Sequence, residues 1–410
     1  MNFKFSNEQE VFLSKVRDIT MKEVAPIAAK IDKEASFPVN TIKLLGENGI
    51  MGIPFEKKYG GLEMDNLTYV AAVEELSKAC ASTGVIMSAH TSLCSWPIAT
   101  YGTEEQKIKY LTPLASGKKL GAFGWTEAEA GTKTTAIKNE NKYVLNGKKV
   151  LITNSHEADI FVVFAKTDLE NGTLSAFIVE RGTKGFSVGE AEDKMGIRGS
   201  STAELFFDNC TIPEENLLGN LGEGLKIAMS TLNGGRIGVA AQAVGLAQGA
   251  LDAAIDYVKN RMQLGKPISH HQNTQFVIAD LQTKIDAARL MTYRAANMKD
   301  LGEDYGYMAS MAKLFASEIA MEVTTKAVQL FGGNGYSKKF PVERMMRDAK
   351  VTEIYEGTSE VQKVVMKDEA KPIVVKTGDD TDYKSLSALL IASGLLIAAV
   401  ICKIKRGKDE

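Results

Sequence analysis

The chain has 410 residues, 44% apolar and 24% charged, too long for one ordinary hydrophobic core and expected to form two or three domains. A formal net charge of −2 gives no electrostatic reason to expect a nucleic-acid partner. The four cysteines (Cys80, Cys94, Cys210, Cys402) contain no C-x-x-C pair, and His270 and His271 are adjacent rather than one helical turn apart, so neither a metal site nor a disulfide framework is expected.

Residues 1–119 read as an N-terminal helical domain. Val11, Phe12, Val16, Ile19 and Val24 recur near helical spacing. Ser6, with Gln9 three residues on, has the form of a capping box. Charges in "MNFKFSNEQEVFLSKVRD" stand where a secretory signal needs an apolar core, so a cytoplasmic location is expected.

Residues 120–230 change texture and read as a β domain. "KYVLNGKKVLITNSHEADIFVVFAKT" alternates and is rich in β-branched and aromatic residues, and its Asn146–Gly147 dipeptide predicts a hairpin turn. "LSAFIVERGTKGFSVGE" and "STAELFFDNCTIP" follow the same pattern. Helical periodicity returns over 231–368 as a C-terminal bundle, in segments such as "GVAAQAVGLAQGALDAAIDYVKNRM". Helices, then strands, then helices is an α+β order, not the alternation that builds a parallel sheet.

Residues 369–384 form a polar linker before a hydrophobic tail, 385–410. The tail's uncharged run, 386–402, would cover about 25 Å as a helix, just short of a bilayer's hydrocarbon core. A C-terminal attachment to the cytoplasmic membrane is the expectation. A full span would export the basic "KIKR" against the positive-inside tendency, a conflict that shallow insertion avoids.

Few motifs carry chemistry alone. No G-x-G-x-x-G follows a strand, which argues against a Rossmann site. "FGGNGY" (331–336) reads either as a helix C-cap or as a close backbone approach to a ligand. Arg236 and Arg261, on largely apolar segments, suit a carboxylate partner or a phosphate. In "EIYEGTSE" (353–360), Glu356 is either a solvated charge or a base. Ile354 and Tyr355 would desolvate it, Gly357 would let a flat ligand approach, and Ser359 with Gln362 predicts a capping box for the next helix.

Taken in order, "EELSKACASTGVIMSAHTSL", "WTEAEAGT", "ITN", "DKMGIRGSSTAELFFDNCTIPEENLLG", "GGRIGVAAQAVGLAQGALD", "RMQLGKPI", "HQNTQFVIADLQ", "QLFGGNGY" and "VERMMRDAKVTEIYEGTSE" resemble the acyl-CoA dehydrogenase family. The likeness is nearest its short-chain, butyryl-CoA-type members and covers about residues 3–368. It implies a helical domain, a β-barrel-like domain and a helical bundle, assembled as an FAD-holding homotetramer. The implied reaction turns a short acyl-CoA into a trans-2-enoyl-CoA: Glu356 takes the α-proton, the β-hydride goes to flavin N5, and electrons pass to an electron-transfer flavoprotein. Two alternatives stay open: the same site run as an enoyl-CoA reductase, or a non-catalytic membrane-tethered flavin or acyl-CoA binder.

The resemblance also implies roles residue by residue. Thr126 and Thr153 match positions that bond the flavin ring, and Thr132 one that contacts FAD or the CoA arm. Arg261 matches the arginine that grips the FAD pyrophosphate across a subunit contact; Gln272, Gln329, Gly333, Thr358 and Glu360 join it as cofactor positions. Arg236, Tyr355 and Gly357 match substrate-binding positions. Members with their base on the helix near Arg236 carry it where this chain has Gly234–Gly235. The chain departs from the family pattern at Ala128 and Lys133, at Leu151 and Leu264 in aromatic positions, and at Asn233 in place of an aspartate.

Overall fold

A computed structural model describes residues 4–129 and 131–369. The polar linker from residue 370 onward and the apolar run 386–402 lie outside the described residues. Among the described residues no helix is long and apolar enough to cross a membrane, and no group of three His, Cys, Asp or Glu could hold a metal ion.

The first part is helical: α1 (Asn7–Ile19), α2 (Ala28–Glu34), α3 (Val39–Glu47), α4 (Asn66–Ala79), α5 (Ala81–Ser88), α6 (Trp96–Tyr101) and the short α7 (Glu104–Gln106) and α8 (Thr112–Ala115). The expected capping box forms: the Gln9 N–H donates to Ser6 Oγ (3.2 Å) and the Ser6 N–H to Gln9 Oε1 (2.7 Å). Of the periodic apolar set, Val16 and Val24 are buried, whereas Val11 faces solvent. Between α5 and α6 the chain winds as a π-helix over Ala89–Ser95, entirely buried.

The middle part is one eight-stranded sheet, β1 (Gly121–Gly124), β2 (Thr135–Asn139), β3 (Lys142–Thr153), β4 (Ile160–Lys166), β5 (Leu174–Glu180), β6 (Phe186–Ala191), β7 (Thr202–Pro213) and β8 (Leu217–Leu218). Its order is β6-β7-β3-β2-β4-β5-β8, with β1 parallel to β4. The hairpin reading of Asn146–Gly147 is corrected here. The β2–β3 turn falls at Glu140–Asn141, and Gly147 sits inside β3 at a register shift against β7. A Cβ on Gly147 would meet Thr134 Cα at 2.6 Å, so the glycine serves a close approach rather than a turn.

The last part is helical: α9 (Gly224–Asn260), α10 (Gln272–Asp300), α11 (Gly306–Phe331), α12 (Val342–Lys350) and α13 (Ser359–Glu369), with a small ribbon of β9 (Met262–Gln263) and β10 (Lys266–Pro267) after α9. Helix α9 runs through the middle of the molecule and packs on α4, α10 and α11. Gly245 and Gly249 let α4 come in close: a Cβ at either would fall 2.2 and 2.1 Å from the carbonyl oxygens of Glu74 and Lys78. Buried polar groups tie the parts together. Arg289 (α10) donates from Nε to Glu74 Oε1 (2.9 Å), which also accepts from Tyr293 through Oε2 (2.9 Å). Arg347 (α12) forks onto both Asp32 oxygens at 2.9 and 2.7 Å. The capping box predicted for α13 does not form. Ser359 is its first residue, the Val361 N–H turns to Thr358 Oγ1 (3.4 Å), and Gln362 reaches back into the preceding loop.

Candidate active site

Helices α11 and α9 and the segment between α12 and α13 converge on Glu356. The chain leaves α12 through a short 3-10 turn, Val351–Glu353, where the half-buried Glu353 pairs with Lys350 (2.6 Å). Tyr355 is anchored by donating its hydroxyl to Gln242 Oε1 on α9. Glu356 then takes a left-handed conformation, φ +54°, followed by Gly357 at φ +95°. A non-glycine residue in that region costs about 1–3 kcal/mol and persists where its surroundings hold it. The holders are visible: Gln362 Nε2 donates to the carbonyls of Glu356 (3.2 Å) and Gly357 (2.8 Å), and Lys313 Nζ on α11 donates to Gly357 O (2.7 Å).

Glu356 is half-buried at the wall of a narrow cleft shared with Leu93, Val85, Thr153, Gly235 and Val239. The walls mix aliphatic side chains with Ser88, Ser92 and Thr153, and burial lifts the carboxyl to about 7; the Arg236 and Lys313 charges pull against that rise. Gly235 makes the space for it. A Cβ there would lie 2.7 Å from Leu93 Cδ2 and 3.4 Å from Glu356 Oε2. Among the described residues the Glu356 backbone N–H has no acceptor, which leaves a donor beside the carboxylate. Arg236, 5% exposed, donates from Nη1 to Asn233 Oδ1 (2.7 Å) and Ser310 Oγ (3.1 Å).

Thr153 reaches the same cleft from the end of β3. There β3 is irregular: its register slips between Lys149 and Ile152, and Leu151 adopts φ +58° and stays 40% exposed. Thr126 lies on the loop after β1, half-buried, its carbonyl accepting from the Val150 N–H (2.9 Å). That loop is pinned by a buried ion pair, Lys149 Nζ to Glu127 Oε1 at 2.6 Å, whose carboxylate also accepts from the backbone N–H groups of Lys133 (2.6 Å) and Thr134 (3.3 Å). Thr132 is half-buried on the same loop. Thr358 and Gly357 are half-buried beside Glu356, whereas Glu360 is exposed on the first turn of α13.

Four predicted residues stand apart. Arg261 follows the last residue of α9, Gln272 opens α10, Gln329 lies in the last turn of α11 and Gly333 in the turn after it; all are exposed. Tyr257 links this second patch, stacking on Phe331 at 4.0 Å and accepting from Asn334 Nδ2 (2.8 Å). Nothing lies within 4 Å of a Cβ built on Gly332 or Gly333, so that backbone is open. From Arg236 to Arg261 the helix rise alone separates the two patches by roughly 37 Å.

The comparisons with known proteins bear on the whole of this arrangement. Models described as the N-terminal, middle and C-terminal domains of acyl-CoA dehydrogenase match residues 6–118, 122–210 and 222–370. The chain belongs to the acyl-CoA dehydrogenase family. It is 54% identical over 373 residues to a short-chain specific acyl-CoA dehydrogenase of Clostridium acetobutylicum, covering 89% of this chain and 98% of that one. The solved butyryl-CoA dehydrogenase of Megasphaera elsdenii superimposes with a TM-score of 0.88 at 48% identity, covering 90% and 99% of the two chains. A chain from work on the electron transferring flavoprotein of Acidaminococcus fermentans and flavin-based electron bifurcation matches with the same TM-score at 51% identity, covering 90% and 98%.

Within this family frame, three features of the site come from the structure alone. The sequence by itself does not single out Lys313 or the Glu127–Lys149 pair. Gly235 reads in the sequence as the absence of a second carboxylate, and the structure makes it room for the first. A signal existed for Lys313: it is the one charge in "YMASMAKLFAS", a segment otherwise of small and apolar residues.

Proposed function

We propose that Glu356 removes the α-proton of a short-chain acyl-CoA, giving a trans-2-enoyl-CoA in an FAD-dependent oxidation whose electrons go to an electron-transfer flavoprotein. The observation that carries this reading is the Glu356 carboxyl, held in a strained turn at the wall of a narrow cleft and lifted to about 7 by burial. A base of that pKa is substantially ionised at neutral pH and still a strong enough acceptor for a weakly acidic α-proton. The Glu356 N–H, without an acceptor among the described residues, would donate to the thioester oxygen as negative charge develops there. Leu93, Val85 and Val239 give the cleft aliphatic surface for an acyl chain.

The residues present fit FAD. Thr153 offers a hydroxyl on the sheet side of the cleft and Thr126 one on the half-buried loop after β1, the irregular end of β3 exposes Leu151 for a flat ring, and the exposed Arg261 suits a pyrophosphate. Bound there, FAD supplies a hydride acceptor for the β-hydrogen. Arg261, Gln272, Gln329 and Gly333 lie too far along the bundle to serve the Glu356 cleft of their own chain. Their place supports a homo-oligomer, a homotetramer in our reading, in which one chain's second patch completes another's cofactor site. Thr132, Thr358 and Glu360 complete the cofactor set, and Arg236, Tyr355 and Gly357 the substrate set. The apolar run 386–402 would attach the enzyme to the cytoplasmic membrane; truncation after Lys384 should then shift it to the soluble fraction, and unchanged partition would sink that reading.

The test of the reaction is direct. Purified protein should be yellow, and butyryl-CoA should bleach the flavin band. Glu356→Gln should keep the colour and lose the bleaching. Bleaching at the parental rate in that variant would remove Glu356 as the base.

A further inference from the structure

Lys313 is wholly buried on α11, where a cation is costly unless compensated. Its compensation is unusual. Nζ donates to one group, the Gly357 carbonyl at 2.7 Å, and among the described residues no carboxylate comes within ion-pair distance. The charges that face it are Glu356 from the loop, Glu353 from the turn before it, Glu360 from α13 and, with the same sign, Arg236 from α9. A methionine would fill the volume without the desolvation cost, so packing alone does not account for a lysine here. The carbonyl it holds belongs to the second residue of a two-residue positive-φ turn, at Glu356 and Gly357.

We propose that Lys313 is a positioning residue for Glu356: its ammonium fixes the strained Glu356–Gly357 turn through the Gly357 carbonyl and favours the ionised, proton-accepting form of the carboxyl. The inference rests on Glu356 being the base. Burial works against each charge alone, raising the carboxyl to about 7 and lowering the Lys313 amine to about 7, so the two titrate over the same range and each charged form favours the other. Gln362 supplies a second, neutral donor to the same carbonyl, so the turn keeps one tether when the lysine is replaced and its electrostatic part can be isolated.

The experiment is an infrared pH titration of the purified holoenzyme, with the protonated Glu356 carboxyl band assigned by its loss in Glu356→Gln. Lys313→Met and Lys313→Gln should each raise the ionisation midpoint by about one pH unit or more, the size expected for losing a nearby opposite charge. Lys313→Arg should return it toward the parental value. The acid limb of butyryl-CoA-driven bleaching should move with the band. Lys313→Gln keeps an uncharged donor in place, so it decides the matter if Lys313→Met fails to fold. An unmoved midpoint in Lys313→Gln, or a loss of rate equal at every pH, overturns the proposal and leaves Glu356 standing as the base. Parental bleaching in Glu356→Gln would instead overturn both.

Discussion

Gly235 faces Glu356 across the cleft so closely that one added methyl group would lie 3.4 Å from the carboxylate oxygen Oε2. The same methyl would press on Leu93 Cδ2 at 2.7 Å, the end of a side chain able to yield. Helix α9 therefore carries a glycine where an alanine would favour the helix by about 1 kcal/mol. The cost is met by room beside the Glu356 carboxyl.

Replacing that glycine should separate stability from activity. Gly235→Ala is expected to melt at or above the parental temperature, yet lose roughly tenfold in kcat/KM for butyryl-CoA, about 1.4 kcal/mol of transition-state binding. Gly235→Val should fold and be nearly inactive. Calorimetry and steady-state kinetics on the two variants check this; parental kcat/KM in Gly235→Val would show that the cleft does not hold the acyl group.

The carboxyl at about 7 fixes the direction of the pH dependence. A base must be ionised, so flavin reduction by butyryl-CoA should be slow below pH 6, rise through pH 7 and level off above pH 8, these bounds being about one unit either side of the lifted value. The same shift is a stability statement. A carboxyl whose folded pKa is raised favours folding below its unfolded value and loses that contribution as pH rises through about 7. Stopped-flow reduction across this range is the measurement; a rate already level at pH 5.5 would contradict the lifted carboxyl.

Much of the architecture is legible in the sequence because apolar periodicity reports which face of an element is buried. The switch from helical to alternating pattern near residue 120 marks where β1 begins, and Ser6–Gln9 marks the start of α1. Asn146–Gly147 misleads because a dipeptide reports a local conformation and not a register. Gly147 is required by Thr134, a neighbour brought in by tertiary packing. Ser359 misleads similarly: Gln362 finds better acceptors in the strained loop than at the helix start. At the site, Glu356 is legible through its apolar neighbours. Lys313, over forty positions earlier, becomes meaningful only once α11 lies against Gly357.

The Glu127–Lys149 pair should govern cofactor retention more than chemistry. Its side chains are 6% and 0% exposed, and Glu127 carries the backbone of the loop that presents Thr126 and Thr132. Removing one partner leaves a buried charge uncompensated, so Lys149→Met should lose about 3–5 kcal/mol and release FAD readily. Adding Glu127→Gln should recover part of that loss. Urea unfolding of the single and double variants, with flavin release followed by fluorescence, tests the coupling; additive losses would refute it.

His90 predicts where acid begins to unfold the molecule. It is wholly buried in the π-helical turn between α5 and α6, with Nδ1 accepting from the Gly121 N–H (3.0 Å) and Nε2 facing Leu114 O (3.2 Å). That pairing requires the neutral ring with its proton on Nε2, and it joins the helical part to the first residue of β1. Burial drives the imidazole from 6.5 down to about 4. A depressed folded pKa gives a contribution that is complete above 6.5 and is lost as pH falls toward 4, amounting to about 3 kcal/mol. Protonation would also turn Nδ1 from acceptor to donor against a backbone N–H, so the junction itself should open. The melting temperature should fall steeply between pH 6.5 and 4. In His90→Gln, which keeps an acceptor and a donor but does not titrate, that slope should flatten although stability at pH 7.5 is lower. An equally steep fall in His90→Gln would assign acid unfolding to other groups.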